Sequence, residues 1–105
     1  MRIAIASTGN NLESNIGQQF GRCSFFVIYD TEIKSIEFLP NPYKDQEEAA
    51  GQAAVQLLAS RNIHKILSGD FGIKIKPMLD SMKIQMIVLK DSNKRIKDII
   101  EMLNR

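Results

Sequence analysis

From residue 63 onward the chain alternates between short apolar runs and helical stripes, and this alternation restricts the fold more than any other feature. Residues 63–68 read as a strand entering a glycine turn at Gly69, and residues 72–82 as a short helix with Ile75, Leu79 and Met82 on one side. Residues 83–90 read as another strand, after which Ile96, Ile99, Ile100 and Leu103 recur at i, i+3, i+4 and i+7 on a final helix. Strands separated by helices in this way pair in parallel through right-handed crossovers. Pro77 is tolerated if it falls in the first turn of its helix, where a missing N–H costs little.

The first half of the chain is strand-rich. Residues 2–7 form a short apolar run followed by Thr8-Gly9-Asn10-Asn11, and residues 25–30 and 33–39 are rich in aromatic and β-branched side chains. The gap Thr31-Glu32 between the last two suits a two-residue hairpin. Pro40-Asn41-Pro42 stops the third strand, since proline cannot donate to a ladder. Asp45 with Glu48 three residues later predicts a capping box opening a helix that carries Ala50, Ala54, Leu57 and Leu58. Its small alanines allow close approach to a sheet.

The expected order is β-β-β-α-β-α-β-α, a mixed, mostly parallel five-stranded α/β sheet with helices. Calling the first strand upward places the loops at 7–23, 40–46, 68–72 and 90–93 together at the top, where open α/β sheets bind ligands. With 105 residues, 44% hydrophobic and 25% charged, the chain is expected to close one core as a single domain over 1–105. Its net charge of +2 is spread along the chain rather than gathered on one face, which argues against nucleic acid. No apolar run reaches the roughly 18 residues of a membrane-spanning helix. A single cysteine and the lack of a leader-like start lead to an expectation of a reducing cytoplasm, and a monomer is expected.

The long first loop holds Gly17, Phe20, Gly21, Arg22 and Cys23. Its glycines can bring backbone close to a ligand, and Arg22 can pair with a carboxylate or phosphate. Against this, Phe20 can simply plug the end of the core while Gly21 makes a turn. Cys23 lies beside an arginine that can favour its thiolate, although lone cysteines are usually small buried hydrophobes. His64 is expected at the opposite end of its strand, away from the loops. Ser68-Gly69-Asp70-Phe71-Gly72 joins a strand to a helix start, a place suited to holding an anion or to an ordinary tight turn.

Together, the opening residues 2–7, Phe20-Gly21-Arg22-Cys23 before an aromatic strand, the Asn41-Pro42 break and the Gly69 to Gly72 turn resemble the nitrogenase iron-molybdenum cofactor biosynthesis family. The resemblance covers nearly the whole chain. It implies a ribonuclease-H-like three-layer fold and a non-catalytic binding or carrier role for an iron-sulfur or iron-molybdenum type metallocluster or its precursor. By position it implies cofactor-binding roles for Phe20, Gly21, Arg22, Cys23, Gly69 and Gly72, with Cys23 the candidate metal ligand. An anionic cluster would suit Arg22 and backbone donors at Gly72. A metalloenzyme or assembly factor is the implied protein partner.

The chain departs from the family at Ile73, where proline is frequent, and it lacks the radical-chemistry cysteine cluster of the family's larger enzyme. Two alternatives stand beside the carrier: a protein-interaction module without a cluster, and a nuclease, which needs several carboxylates converging on metal ions. Asp30, Asp70 and Asp91 are scattered, with Asp30 expected at the far end of the sheet.

Overall fold

A computed structural model of the chain describes residues 1–104. Five strands, β1 (Arg2–Ser7), β2 (Phe25–Asp30), β3 (Ser35–Pro40), β4 (Lys65–Ser68) and β5 (Gln85–Val88), form one sheet in the order β3-β2-β1-β4-β5. β1 pairs antiparallel with β2 and parallel with β4, β2 antiparallel with β3, and β4 parallel with β5. The pairings divide evenly, yet four strands point the same way because only β2 runs down.

Helices α1 (Ala50–Ala59), α2 (Ile75–Ser81) and α3 (Ile96–Leu103) complete three layers. The alternation of β1 divides its side chains between two cores. Ala4 and Ala6 face Ala54, Val55 and Leu58 of α1 and Ile75 and Leu79 of α2, whereas Ile3 and Ile5 face Ile96, Ile99 and Ile100 of α3. The small residues of α1 thus meet small residues of the central strand. The architecture is the expected ribonuclease-H-like α/β fold. No helix among the described residues is long and apolar enough to cross a membrane.

Several local expectations give way to tertiary contacts. Asp30 pairs with Ser35, so the β2–β3 turn takes four residues rather than two, with Lys34 at φ 57° and Ile33 exposed. The Asp30 carboxylate accepts the N–H of Glu32 at 2.9 Å, which lowers its pKa and closes the turn without glycine.

The Asp45/Glu48 capping box does not open α1, which begins at Ala50. The Arg22 guanidinium donates to the carbonyls of Lys44, Gln46 and Glu47. Those carbonyls are committed outside any helix, and Ala49 turns through a left-handed φ of 59° before α1 starts.

Finally, α2 starts at Ile75 rather than Gly72, because Gly72 has φ 80° and cannot continue into a helix. Pro77 does fall in the first turn. The expected strands at 63–68 and 83–90 shorten to β4 and β5, each following a residue of positive φ, Asn62 and Lys83.

The first loop crosses the top of the sheet and is anchored on both sides. Ile16 is buried in the core beneath α3, and Phe20 in the core beneath α1, where it stacks on Phe71 at 5.3 Å. The N–H groups of Ile96 and Lys97 donate to the carbonyls of Ser14 and Leu12, so the loop's backbone satisfies the start of α3. Glu13 reinforces this with ion pairs to Arg95 at 2.7 Å and Lys97 at 2.9 Å.

Candidate functional site

The upper ends of β1 and β4 are stitched to the loop by main-chain bonds. The Gly17 N–H donates to Ala6 O at 2.7 Å, the Gly69 N–H to Gly17 O at 2.9 Å, and the Phe20 N–H to Asp70 O at 2.8 Å. These bonds place the short 3-10 turn Phe20–Arg22 against the start of α1 and the segment after β4. Between them lies a cavity of about 390 Å³, bounded by the turn, residues 49–52 and residues 70–75. Phe20, Phe71 and Ile75 give it an apolar floor.

Its polar character comes mainly from α1. No side chain caps this helix, and the N–H groups of Ala50, Gly51 and Gln52 have no acceptor among the described residues. The positive end of the helix dipole therefore borders the cavity. Arg22 and Lys74 add positive charge to the lining and Asp70 negative charge. A smaller cavity of about 300 Å³ adjoins it, sharing Gln19 and Arg22 and including Thr8, Cys23 and Ser24.

Of the six residues singled out, Phe20, Gly21, Arg22 and Gly72 line the larger cavity. Cys23 lines the smaller one, and Gly69 lines neither. The glycines serve backbone packing more than ligand approach. A Cβ on Gly21 would lie 2.7 Å from Gly51 N, and one on Gly69 would lie 2.7 Å from Gln18 O. Gly72 is different: a Cβ there meets nothing within 4 Å, so glycine is needed only for the turn.

The anion-binding roles are redistributed as well. The Gly72 N–H donates to Asp70 Oδ1 at 3.0 Å, so that donor is occupied. The start of α1, which holds no motif residue, is the end that remains open. Arg22 spends three hydrogen bonds on the 44–47 segment and acts first as a staple that shapes the cavity wall.

Cys23 is buried, and its Sγ–H donates to Phe20 O at 3.3 Å. Burial pushes the thiol up to about 12, the reverse of the shift expected from Arg22, whose guanidinium is turned toward the 44–47 carbonyls. A thiol held protonated is a poor metal ligand and nucleophile. Native Cys23 should react with iodoacetamide at pH 8 roughly 1,000-fold more slowly than an unperturbed thiol, in proportion to the lost thiolate. A normal rate in folded protein would refute the protonated, enclosed state. The folded pKa is raised, so this group's stability contribution is intact below pH 9 and is lost as pH climbs toward 12. Cys23→Ala should flatten that alkaline decline in urea titrations.

Asn41 went unnoticed as a site residue. It is 4% exposed, and its Nδ2 donates to Gly21 O at 3.1 Å and Cys23 O at 2.9 Å while its Oδ1 accepts the Tyr43 N–H. One carboxamide thus holds the cavity-lining turn to the chain after β3. The sequence signal is an asparagine between two prolines, which reads as a strand stop and as one piece of the family resemblance but not as a site residue. His64 lies where expected, at the opposite end, its Nδ1 accepting the Arg2 N–H.

The family described as dinitrogenase iron-molybdenum cofactor matches the chain over residues 1–105. The chain belongs to that family. Solved structures agree with this dinitrogenase cofactor-family fold. The apo form of the orange protein from Desulfovibrio gigas superimposes with a TM-score of 0.88 at 24% identity, over 97% of this chain and 85% of that one. A putative NifB protein from Thermotoga gives 0.80 at 24% identity, with the same coverages. Among curated proteins, none matches this family member.

Proposed function

We propose that this chain is a non-catalytic carrier of an iron-sulfur or iron-molybdenum type metallocluster, or of its precursor, held in the cavity beside α1. The observation that carries this reading is the cavity itself. It combines an apolar floor, an open helix N-terminus and the Arg22 wall, a setting suited to a preformed anionic cargo. Family membership supports this class of cargo. No group of three or more His, Cys, Asp or Glu among the described residues is arranged to hold a metal ion. The reading therefore assigns binding to shape, backbone N–H groups and charge, with Cys23 outside the contact set. Release and uptake belong to a metalloenzyme or assembly factor.

The test is anaerobic reconstitution with iron and sulfide, with and without molybdate, followed by absorbance and metal analysis. The native chain and Cys23→Ala should both retain coloured, stoichiometric cargo, and Gln52→Trp, which places an indole on the cavity wall, should lose it. A native chain that stays colourless and metal-free throughout would leave the interaction-module reading in its place. Loss in Cys23→Ala alone would move the site to the smaller cavity.

A further inference from the structure

The cavity beside α1 carries one charge that opposes an anionic cargo. The N–H groups of Ala50, Gly51 and Gln52, together with Arg22 and Lys74, favour an anion, yet Asp70 shares the lining with them. Its place is fixed by three bonds. The Asp70 N–H donates to Gln18 O at 2.6 Å, its carbonyl accepts the Phe20 N–H at 2.8 Å, and its Oδ1 accepts the Gly72 N–H at 3.0 Å. Its Oδ2 has no partner among the described residues. Arg22 is turned to the 44–47 carbonyls, and the ion pairs among the described residues all lie elsewhere, so neither basic group of the lining neutralises Asp70. The lining contains no Cys, His or Glu, which leaves Asp70 as its one side chain able to offer an anionic oxygen to a metal.

A like charge fixed in a binding cavity acts chiefly against ligands that cannot answer it. A fully ionised oxyanion such as sulfate or molybdate has only acceptor oxygens, and at the start of α1 it would meet the Asp70 carboxylate as a like charge. A metallocluster, although anionic overall, contains metal atoms that can accept a carboxylate oxygen. We infer that Asp70 is the specificity-determining residue of this cavity: its carboxylate keeps out fully ionised oxyanions and admits an anionic cluster that turns a metal atom toward Oδ2. This deepens the carrier reading and rests on it for the cargo, whereas the exclusion of oxyanions stands on the lining alone.

The experiment uses Asp70→Asn, whose side-chain oxygen can still accept the Gly72 N–H and keep the turn. Sulfate and molybdate are titrated separately into the metal-free chain at low ionic strength, and the amide NMR signals of residues 50–52 are followed. The native chain should bind each with a Kd above ~10 mM, and Asp70→Asn should bind at least ~10-fold more tightly. Adding Lys74→Gln to Asp70→Asn should take back part of the gain. On reconstitution with iron and sulfide in the presence of sulfate, Asp70→Asn should retain less metal than the native chain. Equal oxyanion affinity in the native chain and Asp70→Asn, or signals at 50–52 that stay still in both, would overturn the inference. A gain in Asp70→Asn beside a native chain that stays colourless and metal-free keeps the exclusion and sinks the carrier, and a coloured native chain whose Asp70→Asn variant gains no oxyanion binding does the reverse.

Discussion

Gly21→Ala should lower the melting temperature by about 10–20 °C, a loss of about 2–3 kcal/mol for a chain of this size. The added Cβ would sit 2.7 Å from Gly51 N and 2.9 Å from Gly51 Cα, both backbone atoms of a packed helix. No rotamer relieves such a contact, so the turn at 20–22 must withdraw from α1. The same movement would widen the cavity, and cargo binding should fall in protein that is still folded. Two controls separate this cause from a general intolerance of change. Gly51→Ala would meet only the end of the Ile75 side chain, which can turn away, and should cost less. Gly72→Ala enters open space and should lose only the roughly 1–2 kcal/mol of a left-handed alanine. Calorimetry showing Gly21→Ala no worse than Gly72→Ala would discard the close-packing account.

The second large effect is electrostatic. Asn41→Asp keeps size and shape but replaces the donor to Gly21 O and Cys23 O with an oxygen in a site 4% exposed. At pH 7 the buried carboxylate would face two carbonyls, and the expected loss is about 3–5 kcal/mol. Its folded pKa must rise above the unfolded value of about 3.9, so the folded state binds the extra proton. Stability is then least impaired below about pH 4 and declines as pH rises through the folded pKa. Asn41→Ala should cost about 1–3 kcal/mol with no such dependence. Urea titrations of Asn41→Asp giving equal losses at acidic and neutral pH would show that Asn41 does not donate to these carbonyls in solution.

What could be read from the sequence followed from periodicity. β1 and β2 fall on the residues expected of them, because an apolar run bounded by a glycine turn or a long loop leaves little choice of boundary. The final helix was equally legible, since Ile96, Ile99 and Ile100 can share a core only on a helix. The failures lie where one segment's backbone is claimed by another's side chain. Asp45 and Glu48 have the right spacing for a cap, but Arg22 takes the carbonyls that the first turn would need. Nothing local to residues 45–48 records that claim. The site shows the same division. Phe20, Gly21, Arg22 and Gly72 stood out as unusual residues in a loop, whereas the open start of α1 consists of alanine, glycine and glutamine and depends on what fails to cap it. Gly51 was the available hint, a glycine within a helix that marks a close neighbour.

The first loop buries Ile16 on one side of the sheet and Phe20 on the other, and this ties the cavity wall to both halves of the molecule. A wall so held has no cheap local opening. Its amides at Gly17, Phe20 and Gly69 should exchange with solvent only through near-global unfolding. On the carrier reading, any breathing that admits or ejects a cargo therefore comes from residues 72–74, which border the cavity and are exposed. On that reading the cavity is a cup held firm from below, and whatever takes its contents works from the edge.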